Sequence, residues 1–261
     1  GPSFSNSEIK QVLDSHKLIY SKPKDLIKRS AQLISLGNTI GWFRGKGEYG
    51  PRSLGNRSLV ADPRKIRSKE KINQLLKKRD WFMPYAPSIL EEDYRNWVDK
   101  EHYSPYMQVA FFMKKDKRSK VPSAVHVDGT SRVHVVRKSE NNSYWELINE
   151  FKKITKIPVL LNTSFNRHGV STISTPRQAI EHLLEGCMDF LVIDDYLVSF
   201  KENRKIVNKK QHIDSEDFLL RKNAIERLEV FKKFGTKHQL SSYIKKLSSL
   251  IGKEIKFNSK K

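Results

Sequence analysis

The sequence predicts a mixed α/β domain, a mixed sheet covered by helices, followed by a basic helical appendage. Two observations carry the layered domain and a third the appendage. Short apolar runs such as "TIGWF", "IPVLLN" and "FLVI" alternate with stretches of helical period as far as about residue 200, the pattern of a sheet layered with helices. At 261 residues, 37% of them hydrophobic, the chain is long enough to bury a sizeable core. Beyond that point the chain turns lysine-rich and strand-poor, with apolar residues at helical spacing in "FLLRKNAIERLEVFKKF" and "SSYIKKLSSLIGK". The expected division is a domain over 1–202 and an appendage over 203–261.

Each element follows from local signals. "KPKDLIKRSAQLISLG" (22–37) reads as a helix, with Pro23 in its first turn, Ile27, Ala31 and Ile34 at helical spacing and Gly37 as its stop. "TIGWF" is a short strand, and "GKGEYGPRSLGNRSLVADPR" (45–64) a loop rich in glycine and arginine. "SKEKINQLLKKR" returns to helical period through Ile72, Leu75 and Leu76. "WFMPYAPSIL" holds Pro84 and Pro87, so it is expected to be a broken or edge strand, because proline donates nothing to a ladder. "YMQVAFFM" and "RVHVVR" read as strands. "SYWELINEFKKI" is a helix with a capping box from Ser143 to Glu146, followed by the buried strand "IPVLLN". In "TPRQAIEHLLEG", Thr175 is the N-cap, Pro176 sits at the first helical position, Gln178 completes the cap and Gly186 ends the helix. "FLVIDDYLVSF" is a hairpin.

Composition bounds the class. No apolar run approaches the roughly 20 residues of a membrane helix, and "GPSFSNSEIK" lacks both an initiator methionine and the apolar core of a signal peptide. The sequence therefore reads as a soluble fragment or processed chain. Its single cysteine, Cys187, excludes an internal disulfide and fits a reducing, cytoplasmic compartment. Within "LLEGCMDFLVI" it reads as a packed small hydrophobe. The net charge of +21 predicts attraction to polyanions, whether nucleotides, nucleic acid or an acidic partner.

Four segments carry chemistry. In "GPRSLGNRS", Gly50 and Gly55 bracket Arg52, and Arg57 follows, so the backbone can approach a ligand while guanidinium forks meet its phosphate or carboxylate. The bland alternative is local pairing with Glu48 and Asp62. Lys77, Lys78 and Arg79 end a helix, where cations also serve as simple caps. "HVDGTSRV" places Arg132 at a strand start after a turn, and Asp128 either orients an arginine or faces water. "LLNTSFNRHG" presents Asn162, Thr163, Ser164 and Asn166 past a buried strand, where open sheets bind ligands. His126, His134 and His168 lack a ligand spacing, so no protein-held metal is expected.

Taken in order, "GPRSLGNRSLVADPR", "INQLLKKRDWFMPYAPSIL", "SPYM", "VPSAVHVDGTSRVHVV" and "IPVLLNTSFNRHG" resemble the C-terminal domain of the NodU and cephalosporin-type O-carbamoyltransferases over about residues 4–200. Even "GPSFSNSEI" is similar to the family's interdomain junction. The resemblance implies a YrdC-like α-β-α domain around a twisted mixed sheet. It implies ATP and carbamoyl phosphate as substrates, magnesium arriving with ATP, and carbamoyl-adenylate as product. A separate metal-containing N-terminal domain would pass the carbamoyl group to a hydroxyl acceptor. By position, the family's adenylate-site cations fall on Arg52, Lys77 and Arg132 and its polar contact on Ser164. Its KxR and SxN signatures fall on Lys77 with Arg79 and on Ser164 with Asn166. The sequence departs from the family at Met83, where a phosphate-contacting arginine is expected. Losing that charge-assisted contact costs on the order of 1.5–3 kcal/mol unless a cation such as Lys78 or Arg95 replaces it. Two alternatives remain at this level: a nucleic-acid-binding module and an inactive nucleotide-binding partner subunit.

Overall fold

Side chains on successive strand residues point to opposite faces, and in this chain both faces are apolar. The computed structural model describes residues 1–73, 85–99, 103–167 and 169–206, which lie in the compact unit Gly1–Val207. In chain order the elements are α1 (Asn6–Ser15), β1 (Tyr20–Ser21), α2 (Leu26–Ser35), β2 (Ile40–Phe43), β3 (Arg57–Ala61), α3 (Ile66–Ile72), β4 (Ala86–Leu90), β5 (Tyr106–Phe112), α4 (Lys115–Arg118), β6 (Thr130–Val136), α5 (Asn142–Thr155), β7 (Val159–Ser164), α6 (Pro176–Leu184), β8 (Phe190–Ile193), β9 (Tyr196–Ser199) and α7 (Phe200–Asn203). Among the described residues the strands form one sheet in the order β1-β9-β8-β2-β3-β7-β4-β6-β5. The β2/β8 and β4/β6 pairs are parallel and the others antiparallel, so the sheet is mixed, as expected.

Two helical layers cover it. Ile40, Trp42, Val60, Leu160 and Val192 pack with Ile34 of α2 and Leu147, Ile148 and Phe151 of α5. The alternate residues Phe43, Leu59, Leu161, Leu191 and Ile193 pack with Ile9 and Leu13 of α1 and Ile180 and Leu183 of α6. A third cluster, built on Ile89, Val133 and Val135, holds Tyr94, Trp97 and Phe111 beside β4 and β6. Cys187 is buried, as its context predicts.

Local signals place most helices. Helix α6 has the expected capping box between Thr175 and Gln178. Helix α2 ends in a Schellman motif: Gly37 (φ +96°) donates to the Ile34 carbonyl and Asn38 to that of Leu33. Its N-cap is Asp25. Helix α5 starts earlier than its sequence reading, because Asn141 caps it by accepting from the Tyr144 amide; the Ser143–Glu146 capping box does not form its start.

Two findings correct the sequence reading of the sheet, and a third adds a helix at the N-terminus that the sequence reading leaves unassigned. The segment beginning at Asn6 is a helix with its own capping box from Ser5 to Glu8. The arginine loop is shorter than 45–64, because Arg57–Ala61 is the fully buried strand β3. Strand β4 lies between β7 and β6 rather than at an edge. Pro87 is tolerated there because it faces Leu161 of β7, while the ladder to β6 begins only at Ser88. The appendage over 203–261 lies outside the described residues from 207 onward, as do Lys77, Lys78, Arg79, Met83 and His168.

Candidate active site

The loop from β2 to β3 is folded by its own acid. Glu48 Oε1 accepts from the amides of Leu54 (2.7 Å), Asn56 (2.7 Å) and Arg57 (3.1 Å). Gly50 and Gly55 take φ +100° and +95°, a region that side chains other than glycine enter only with strain. At Gly55 a Cβ would also lie 2.3 Å from the Tyr144 ring. The glycines thus serve a sharp turn and a close approach to α5.

Arg57 anchors this loop. Its guanidinium is 3.6 Å from the Phe43 ring centroid. Nη1 donates to the carbonyls of Arg44 (3.1 Å) and Asn56 (3.0 Å), and Nη2 to those of Pro2 (3.0 Å) and Gly45 (3.0 Å). At 1% exposure, with both terminal nitrogens donating to backbone carbonyls and Nε without a hydrogen-bond partner, it acts as a strut that also lines the larger chamber. Burial lowers its pKa, countered by the charges of Glu48 and Asp194.

Two adjoining chambers open beside the strut. The larger, about 400 Å3, is lined by Glu48, Arg52, Arg57, Ser164, Asn166 and the 170–174 segment. The smaller, about 110 Å3, is lined by Ser53, Tyr85, Met107, His126, Arg132 and Asn162. Pro51, Arg52 and Ser164 belong to both walls. Three expected site residues from three distant segments, Arg52, Arg132 and Ser164, therefore meet at one cavity system. Arg52 is exposed, and among the described residues no hydrogen bond or ion pair engages its side chain. Ser164 Oγ donates to Asn166 Oδ1 (2.5 Å), and Asn166 Nδ2 to the Val170 carbonyl (2.5 Å), so this serine–asparagine pair also ties down the loop after β7.

Asn162 is 1% exposed. Its Nδ2 donates to the Ser53 carbonyl (3.0 Å) and to Ser88 Oγ (3.0 Å). Ser88 Oγ also accepts from the Tyr144 hydroxyl (3.1 Å) and lies 3.0 Å from His134 Nδ1. Burial pushes the His134 pKa down to about 3, so the ring is neutral and its Nδ1 can accept the serine proton. Asp128 serves the turn before β6, accepting from the Thr130 amide and hydroxyl (both 2.8 Å). It lines neither chamber. His126 bonds Thr130 Oγ1 through Nδ1 (3.0 Å). Its pKa is lowered mainly by burial, with Arg132 and Lys69 adding to the effect and Asp128 opposing it.

Sequence reasoning did not single out Ser53, Tyr85, Met107 or His126 as site residues. Only Met107 carries a backbone signal, φ +57°, at the register shift where β5 meets β6, and that signal exists only in three dimensions. Among the described residues no group of three or more histidine, cysteine, aspartate and glutamate side chains is arranged to hold a metal ion. None of their helices is long and apolar enough to cross a membrane.

Residues 31–200 match the family model described as the carbamoyltransferase C-terminus. The chain belongs to this family. It is 39% identical over 206 residues to an uncharacterized protein of Methanocaldococcus jannaschii, covering 77% of this chain and 34% of that protein. With the nodulation protein NolNO of Sinorhizobium fredii it shares 41% identity over 177 residues, or 67% of this chain and 26% of that one. The chain thus spans about a quarter to a third of these relatives. The crystal structure of T. kodakarensis HypF aligns with a TM-score of 0.45 at 18% identity, covering 71% of this chain and 22% of that one.

Proposed function

We propose that this carbamoyltransferase C-terminal domain activates the carbamoyl group, using ATP and carbamoyl phosphate to form carbamoyl-adenylate for transfer to a hydroxyl acceptor held by a separate N-terminal domain. The observation that carries the reading is the convergence of Arg52, Arg132 and Ser164 on two joined chambers. The larger has room for the phosphates, and the smaller for a group of a few heavy atoms. The family relation supplies the chemical class.

Water splits carbamoyl phosphate into carbamate and phosphate. A carbamate oxygen attacks the α-phosphorus of ATP, and the bond from that phosphorus to the β-phosphate oxygen breaks, releasing pyrophosphate. Negative charge builds on the phosphoryl oxygens and on the leaving group. Arginine forks aimed at those oxygens stabilise it more in the transition state than before it. Arg52, whose side chain has no partner among the described residues, is free to take a phosphate, and Arg132 stands on the wall of the smaller chamber. Lys77 and Arg79 are assigned to the same phosphates from the family pattern alone. Magnesium carried by ATP favours phosphate oxygens and water over a dedicated protein cage. Glu48 Oε2, buried in the larger chamber's wall without a hydrogen-bond partner, suits that hydrated ion or a ribose hydroxyl.

The test is isotope exchange between pyrophosphate and ATP. Exchange that requires carbamoyl phosphate and falls at least tenfold in Arg52→Ala is the expected result. Wild-type exchange indifferent to carbamoyl phosphate overturns the reading.

A further inference from the structure

Two buried polar atoms in the wall of the smaller chamber lack hydrogen-bond partners: Asn162 Oδ1 and Ser53 Oγ. Their residues are 1% and 3% exposed. A buried polar atom left unpaired is costly, and most are paired in folded proteins. The two belong to different segments, yet their residues both line one cavity of about 110 Å3.

The orientation of the Asn162 amide is fixed. Ser53 O is a carbonyl and can only accept, so the asparagine group facing it at 3.0 Å must be the NH2. Flipping the amide would set two acceptors against each other. The second Nδ2 proton goes to Ser88 Oγ, and that oxygen also accepts from Tyr144. Its own proton is directed to His134 Nδ1. Both asparagine protons are therefore spent inside the protein, and Oδ1 is left as an acceptor that only an incoming N–H or O–H can satisfy.

We infer that Asn162 and Ser53 form a reader for a primary amide, with Asn162 Oδ1 accepting an N–H of the carbamoyl group and the Ser53 hydroxyl donating to its carbonyl oxygen. The inference rests on the activation reading above and assigns the substrate discrimination within it. An acyl phosphate with a methyl group in place of NH2 has nothing to offer Oδ1 and would leave it buried and unpaired. A site built around a substrate's N–H rejects the analogue that lacks it, whereas a merely apolar pocket barely separates the two. Ser88 is the positioning residue, acting through Asn162.

Calorimetry on the full chain separates the possibilities, using carbamoyl phosphate, acetyl phosphate and ATP as probes. The wild type is expected to bind carbamoyl phosphate roughly tenfold to a hundredfold more tightly than acetyl phosphate. Asn162→Ala should erase most of that ratio while leaving ATP affinity in place. Ser53→Ala removes a hydroxyl with no internal partner, so its fold should hold while both acyl phosphates bind several-fold more weakly. Equal wild-type affinities, a full ratio in Asn162→Ala, or undiminished binding in Ser53→Ala overturns the inference. If Asn162→Ala does not fold, the wild-type ratio and Ser53→Ala decide alone. Selective carbamoyl phosphate binding without ATP binding sinks the activation reading but not the amide reader; no binding of any probe sinks both.

Discussion

The loop between β2 and β3 has a pinned part and an open part, and they differ in what their polar groups touch. At Asn56–Arg57 the amides converge on Glu48 and the two terminal guanidinium nitrogens donate to four carbonyls. At Gly50–Arg52 the chain is exposed and the Arg52 side chain engages nothing among the described residues. Both arginines line the larger chamber, but one closes the loop from a buried position and the other reaches the chambers from an exposed one. The same residue type in the same glycine-rich segment does opposite work, because one side chain finds buried carbonyls and the other finds solvent.

The largest effect should come from breaking the pin. Arg57→Ala removes the guanidinium donor from the carbonyls of Arg44 and Gly45, takes a second donor from those of Pro2 and Asn56, which keep the amides of Gly47 and Arg44, and leaves Phe43 without its cation. A loss of about 3 kcal/mol or more is expected in urea unfolding. Arg57→Lys should recover only part of it, since one ammonium cannot serve carbonyls on both sides of a planar fork. A loss below about 1 kcal/mol would erase the distinction between the two parts.

A glycine pair sharpens the contrast next. Gly55→Ala must combine a positive φ with a Cβ driven into the Tyr144 ring, and about 2–3 kcal/mol of destabilisation is expected. Gly50→Ala has the same backbone demand but no atom within 4 Å of the new Cβ. It should cost only about 1 kcal/mol. Equal losses in thermal unfolding would mean that the packing on α5 does not matter.

Behind the pinned part sits a group that titrates. Burial lowers the His134 pKa from its ordinary 6.5 to about 3 in the folded chain. The unfolded chain therefore binds more protons between those values. The stabilisation from keeping this ring neutral is complete above pH 6.5 and is lost as pH falls toward 3, at up to about 1.4 kcal/mol per pH unit. His134→Asn keeps an acceptor without the titration, so its stability should change less steeply over that window. An unchanged slope would show that other groups set the acid limit.

How far this arrangement was legible from sequence depends on the range of the signal. The α6 cap, the Gly37 stop and the β8–β9 hairpin were readable because each is written within a few neighbouring residues. The central place of β4 was not, because proline's effect depends on which flank of the strand is paired, and that is decided by β6 and β7. That Arg52, Arg132 and Ser164 come together at one cavity system was legible from motif order and from their chemistry. The role of Arg57 was hidden, since nothing in "GNRS" tells that four carbonyls surround the side chain. Ser53 and Ser88 were equally silent: they meet Asn162 across 109 and 74 residues of sequence, and no local pattern encodes that meeting.

The smallest effect on stability belongs to Arg52. An exposed side chain with no partner among the described residues contributes little to folding, so Arg52→Ala should unfold within about 0.5 kcal/mol of the wild type. The same substitution should weaken ATP binding by about tenfold or more, because it deletes a charge-assisted donor at the rim shared by both chambers. Paired measurements of unfolding and nucleotide affinity on Arg52→Ala and Arg57→Ala decide the comparison. The open arginine should cost affinity without stability. The pinned one should cost stability first, and its affinity change should follow only as the loop loosens, so Arg57→Lys, which keeps the charge, should fail to restore binding wherever it fails to restore the fold. If Arg52→Ala instead destabilises the chain while leaving ATP affinity intact, the open part of the loop is structural and the phosphates are held elsewhere.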